Sequence, residues 1–101
     1  MDPFKQHLTR QYNPAPLSGM DLTVCLHIGA ERLTFHTDGA QLTWCDTQPD
    51  WTIMIHSTVS AQALFDGGVS PIDLFMQGQL RSTGYIVATF RVLQAFMPAG
   101  R

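Results

Sequence analysis

Between Leu22 and Ile55 the apolar residues fall on alternate positions, and after Ser57 they no longer do. A period of two sends successive side chains to opposite faces, which an extended strand does and a helix does not. Leu22, Val24, Leu26 and Ile28 alternate with Thr23, Cys25 and His27. "GAE" turns the chain, and Leu33 and Phe35 then alternate with Thr34 and His36. "DG" at 38–39 is a hairpin-turn signal. Ala40, Leu42 and Trp44 form the inner face of a third strand. After the polar loop "CDTQPD", Trp51, Ile53 and Ile55 do the same for a fourth. The stretch 21–57 therefore predicts a four-stranded antiparallel meander with one apolar face.

The flanking segments read as helix. Phe4, Leu8 and Tyr12 have near-helical spacing for one or two turns, and the prolines of "NPAPLSG" stop that helix. Beyond the strands, "STVSAQALFDGG" offers Thr58 or Ser60 as an N-cap and Gly67 or Gly68 as a stop. "SPIDLFMQG" places Ser70 at the cap, Pro71 at the first helical position and Asp73 three residues after the cap. Gly78 ends that helix. Residues 79–83 can form a short fifth strand with Leu80 inward and Arg81 outward, and the remainder from Tyr85 reads best as a last helix of roughly three turns, although "YIVATFRV" also fits a strand. On a helical wheel, Leu93, Ile86, Met97 and Phe90 make one apolar face of it. Ala88, Val92, Ala95, Tyr85 and Phe96 make another, with Thr89 an isolated polar position and Gln94, Val87 and Arg91 a partly polar wedge. A helix lying on one sheet needs a single apolar face. The surplus must meet another helix, another subunit or an apolar ligand.

Composition narrows the function classes. A chain of 101 residues holds one domain, and only 14% of them are charged, leaving few residues to keep apolar surface wet. A net charge of −2 carries no basic footprint for nucleic acid. No stretch is long enough to span a bilayer, and "MDPFKQHLTRQY" lacks the apolar core of a secretory signal. Cys25 and Cys45 follow no metal or redox spacing and read as free thiols in a reducing cytosol.

Catalytic groupings are weak. His27, His36 and His56 share the polar parity of their strands with Cys25 and Cys45, the ligand types zinc prefers, but without local ligand spacing. A polar sheet face tolerates His, Thr and Cys without a shared purpose, and that reading is preferred. A Cys–His nucleophilic pair would need a geometry nothing here fixes. Asp66 and Asp73 sit at helix ends, where capping and the helix dipole account for them. "FDGGVS" lacks the Lys and the frame of a phosphate loop. The expectation is no enzyme, no metal and no cofactor.

Phe65, Leu74, Phe75, Met76, Phe90, Leu93, Phe96 and Met97 all come from the helical half. Core packing would use most of them. Phe and Met are also adaptable walls for apolar pockets, and Gln77 can aim a neutral amide at a ligand hydroxyl or carbonyl.

The stretch "ALFDGGVSPIDLFMQGQLRSTGYIVATFRVLQAF" resembles the hallmark region of the sterol carrier protein 2 family (sterol-transfer domain), with its "MQG", its short basic strand, its glycine and its final apolar helix. The likeness runs from about Trp51 to Phe96 and extends more weakly through "LSGMDLTVCLHI" and the "DG" hairpin. It implies an α/β (α+β) fold whose five-stranded, mostly antiparallel sheet is covered on one face by helices enclosing an apolar tunnel. It also implies non-catalytic binding or transfer of sterols, fatty acyl chains or other lipids. Phe75, Met76 and Gln77 fall on the tunnel-associated motif, and Ile86, Phe90 and Leu93 on the closing helix. Together with Phe65, Leu74 and Leu80 they are the candidate ligand-binding residues. The chain departs from the family in its short N-terminal helix, which implies a shallower or more open tunnel or one completed by a second subunit. "MPAGR" is not a peroxisomal address, in keeping with a bacterial, cytoplasmic setting. The expected organisation is one domain over 1–101, with 1–20 as helix and linker, 21–57 as meander and 58–97 as the helical part carrying strand five. Expected partners are an apolar lipid-like molecule with transient membrane contact, and a homodimer mate or an enzyme of lipid or quinone modification.

Overall fold

The computed structural model describes residues 2–97. The final residues 98–101, on which the reading of "MPAGR" falls, lie outside the described residues, as does the side chain of Phe4. The chain runs α1 (Asp2–Gln11), a 3-10 turn at Ala15–Leu17, β1 (Leu22–Ile28), β2 (Glu31–Thr37), β3 (Leu42–Cys45) and β4 (Trp51–Ile55). There follow α2 (Thr58–Phe65), α3 (Pro71–Met76), β5 (Leu80–Ser82) and α4 (Ile86–Ala95).

The five strands form one sheet in the order β3-β2-β1-β4-β5. β1, β2 and β3 are the meander that the alternation predicts. The fourth strand corrects the expectation: β4 does not extend the meander beyond β3 but lies beside β1 and parallel to it, with Val24 opposite Trp51 and Ile28 opposite Ile55. Every other pairing is antiparallel, so the sheet is mixed and mostly antiparallel. The physical reason is burial. Trp51, Ile53 and Ile55 gain more cover beside the central strand β1 than at the outer edge of β3, whose inner residues Leu42 and Trp44 are only half-buried.

One face of the sheet carries Val24, Leu26, Ile28, Phe35 and Ile53 into a core shared with the helices. Leu8, Leu17, Leu64, Phe65, Leu93 and Phe96 close it from the other side. Phe96 is the hub, with ring centroids 5.2 Å from Phe35, 5.5 Å from Tyr12, 6.3 Å from Phe65 and 6.5 Å from Trp44.

Local chemistry sets the ends of the elements. The N-cap of α2 is Ser57, one residue before the sequence-based choice, and its hydroxyl accepts from the Ser60 amide at 3.1 Å. Ser70 caps α3 as expected, accepting from the Asp73 amide at 3.1 Å. Gly67 and Gly78, at φ +83° and +75°, turn the chain out of these two helices. The Asp38 carboxylate accepts from the amides of Ala40 and Gln41, both at 2.9 Å, and closes the β2–β3 turn. The Gln41 amide first and the Ala40 amide second hold its carboxyl below the ordinary carboxylate value. α1 is longer than expected, 10 residues rather than one or two turns. It is held from outside itself: the Gln11 side-chain amide donates to the carbonyls of Phe65 and Phe96, both at 2.8 Å. The Asn13 amide donates to Ala95 O at 2.7 Å.

Candidate functional site

The nine candidate ligand residues separate into two sets. Phe65, Leu74, Leu80 and Leu93 are buried in the common core. Phe75, Met76, Gln77 and Ile86 are exposed, and Phe90 is half-buried at the boundary. The two sets meet at α3 and α4, where the Phe75 and Phe90 rings pack edge to face with centroids 6.2 Å apart. Gln77 does not aim inward. Its side-chain oxygen accepts at 3.4 Å from the carboxamide of Gln79 on the protein surface.

The exposed set belongs to a larger apolar surface. Ile72 is 55% exposed, Phe75 45%, Met76 79%, Val87 64%, Tyr85 85% and Ile86 38%. On α3, Ile72 lies three and four residues before Phe75 and Met76; on α4, Ile86 lies four before Phe90. Each helix therefore presents a stripe, and the Phe75–Phe90 contact joins the two stripes. Sequence reasoning placed Tyr85 on the second apolar face of the last helix but did not single out Ile72 and Val87 as part of this surface. The mid-helix signal that could have found them is Thr89, which is fully buried and donates through its hydroxyl to Ser82 Oγ at 2.7 Å. Around it lie the buried residues Val92, Leu93, Ala95 and Phe96. α4 thus points the middle of its two expected apolar faces at the core, and Ile86, Val87 and Phe90 turn outward.

Behind this surface the space between sheet and helices is filled by side chains, Phe35, Phe65 and Phe96 among them. Surface depressions open on other sides of the described residues and beside Tyr85. One of about 440 Å³ is lined by Lys5, Gln6, Thr9, Arg10 and Trp44. One of about 600 Å³ is lined by Asp50, Trp51, Thr83, Gly84 and Tyr85. Another, of about 250 Å³, sits on the outer sheet face among His27, Met54, His56, Gln79 and Arg81.

His27 and His56 line one depression, but His36, Cys25 and Cys45 do not join them. His36 Nε2 pairs with Asp21 Oδ1 at 2.7 Å, Cys25 is buried, and Cys45 Sγ contacts Thr47 Oγ1 at 3.3 Å. Among the described residues, no three His, Cys, Asp or Glu side chains are grouped to hold a metal ion. Among the same residues, no helix is long and apolar enough to cross a membrane.

No family model and no curated protein matches the sequence. Solved structures do match it. A palmitated sterol carrier protein 2-like protein from Aedes aegypti aligns over 92% of this chain and 89% of its own, with a TM-score of 0.64 at 13% identity. The fold is that of the sterol carrier proteins. The ubiquinone synthesis protein UbiJ shares it at a TM-score of 0.59 and 15% identity, over 85% of this chain and 70% of that one. A double mutant of the sec-alkyl sulfatase PisA1, an enzyme from Pseudomonas sp., aligns with 99% of this chain at a TM-score of 0.76 and 12% identity. This chain spans only 16% of that enzyme.

Proposed function

We propose that this sterol-carrier-like domain binds and transfers an apolar lipid-like molecule, a sterol, fatty acyl or isoprenoid-type chain, without chemistry of its own. The observation that carries the reading is the apolar surface on α3 and α4, continuous through Phe75 and Phe90 with the core residues Leu74 and Leu93 behind it. A ligand tail would part these two short helices and replace side-chain contacts with its own. Each methylene so buried contributes ~0.8 kcal/mol. Micromolar binding needs about 8 kcal/mol, so roughly a dozen carbons suffice after the costs of binding. The folding of Phe75 and Met76 onto the protein edge rather than into its interior supports entry at this point.

The test is displacement of a fluorescent fatty acid, with native mass spectrometry and lipid extraction of the purified protein. Phe75→Asp alters a half-exposed ring, so the fold should survive while probe affinity falls about tenfold or more. If no lipid class binds in the micromolar range, the carrier reading is to be dropped.

The likeness to a segment of an alkyl sulfatase favours a second reading: an accessory module that dimerises or docks on a lipid- or quinone-modifying enzyme through α4. An empty protein that is a tight dimer, and that Phe90→Asp turns into a soluble monomer, would decide for it.

A further inference from the structure

The outer face of the sheet carries a second unassigned feature. The strand registers place Arg32 opposite His27, His27 opposite Met54, and Met54 opposite Arg81. These four residues form one row across β2, β1, β4 and β5, on the face away from the helices. Strands lie about 4.8 Å apart, so the row is about 14 Å long at its Cα atoms. His56, two residues beyond Met54, shares its face. The depression of about 250 Å³ opens at the β5 end of the row, walled by His27, Met54, His56, Gln79 and Arg81 with Gly29 and Gly78 at its margin. None of its lining residues is acidic.

Three facts make this a place for an anion. Among the described residues the ion pairs are His7–Asp66 and His36–Asp21, so Arg32 and Arg81 have no carboxylate partner. No Asp or Glu stands in the row or among the lining residues to neutralise them. The carboxamide of Gln79 is also fixed. Its oxygen accepts from the Ser60 hydroxyl, which is itself bonded to the Ser57 hydroxyl at 3.2 Å, and its nitrogen donates one hydrogen to Gln77 Oε1 at 3.4 Å, which leaves one N–H for a ligand. A guanidinium, two imidazoles and an amide donor then surround one hollow, with the Met54 side chain on its wall.

We propose that this hollow binds a tetrahedral oxyanion, a phosphate or sulfate group, with Arg81 as the bidentate donor and His27, His56 and Gln79 completing the shell. The site lies on the opposite face of the sheet from the apolar surface of α3 and α4, and it stands whether or not that surface takes a lipid. The anion is either a free ion or the head of an amphiphile whose tail lies along the surface. The two sources share the same donors.

Amide NMR titration of the whole chain with inorganic phosphate, and separately with hexyl phosphate, tests this. Saturable shifts at Gly29, His56, Gly78 and Gln79 are expected from both probes. Tighter binding of hexyl phosphate, with added shifts at Met54 and outside the hollow, would assign an amphiphile; equal binding would assign the free ion. Arg81 is exposed on a three-residue edge strand, so Arg81→Gln should leave the rest of the spectrum in place. It should weaken both probes about tenfold, and His27→Gln should act in the same direction. Shifts that do not saturate, that spread evenly over all arginines, or that survive Arg81→Gln unchanged overturn the proposal. Loss of fatty-acid binding in Phe75→Asp with these shifts intact would separate the two sites.

Discussion

Gly84 has no room for a side chain. A Cβ built there would lie 2.4 Å from Cγ and 2.6 Å from Cδ2 of Trp51, whose indole rests against the glycine backbone. The added Cβ would also lie 2.9 Å from Trp51 Cβ, which no side-chain rotation moves, so swinging the indole aside would not relieve the clash. Gly84→Ala is expected to cost about 1–3 kcal/mol, the usual penalty for overpacking, read as a lower urea midpoint with an unchanged slope. Sequence marked this glycine only as punctuation before α4. Its real constraint is an approach between residues 33 positions apart, which no local pattern encodes. The same holds for Gln77. Its place before a helix-ending glycine suggested an amide aimed at a ligand, but the short helix leaves it among exposed neighbours, bonded to Gln79.

Among the elements, the helix ends depend on one side chain. α2 ends at Phe65 and α4 at Ala95 with Phe96 as its cap, and Gln11 of α1 bonds a carbonyl at each of these ends. Carbonyls in the last turn have no partner within their own helix, so this amide serves both helices. Gln11→Ala removes both bonds and is expected to cost about 1–3 kcal/mol. Hydrogen exchange should then quicken at the C-terminal turns of α2 and α4 together, whereas a purely local effect would stay within α1. Element types were largely legible because the periods of two and 3.6 differ clearly, as in Leu22–Ile28 against Pro71–Met76. Two things were not. The position of β4 beside β1 depends on which strand offers more cover, a comparison between distant segments. The orientation of α4 depends on Thr89, whose hydroxyl finds Ser82 and so can be buried; the wheel counted it only as an isolated polar position between two apolar faces.

For the whole molecule, the packing between sheet and helices centres on Phe96. Its ring meets those of Tyr12, Phe35, Trp44 and Phe65, which come from the N-terminal segment, β2, β3 and α2. Phe96→Ala should cost about 3–5 kcal/mol and leave a cavity at the centre of the fold. Its thermal midpoint should recover on addition of a small apolar molecule that fills the space, a recovery that Gly84→Ala should not show. The nine candidate ligand residues could be assembled from sequence only as a group on the helical half. Their division into core and surface is a property of the complete packing. The bond from Gln11 to Phe96 also spans 85 positions. During synthesis at roughly 5–20 residues per second, the apolar side of α1 waits on the order of 4–17 s for the segment that covers it. Through that interval Leu8 has no native partner from α4, and a chaperone that shields a short exposed helix would have its opening there.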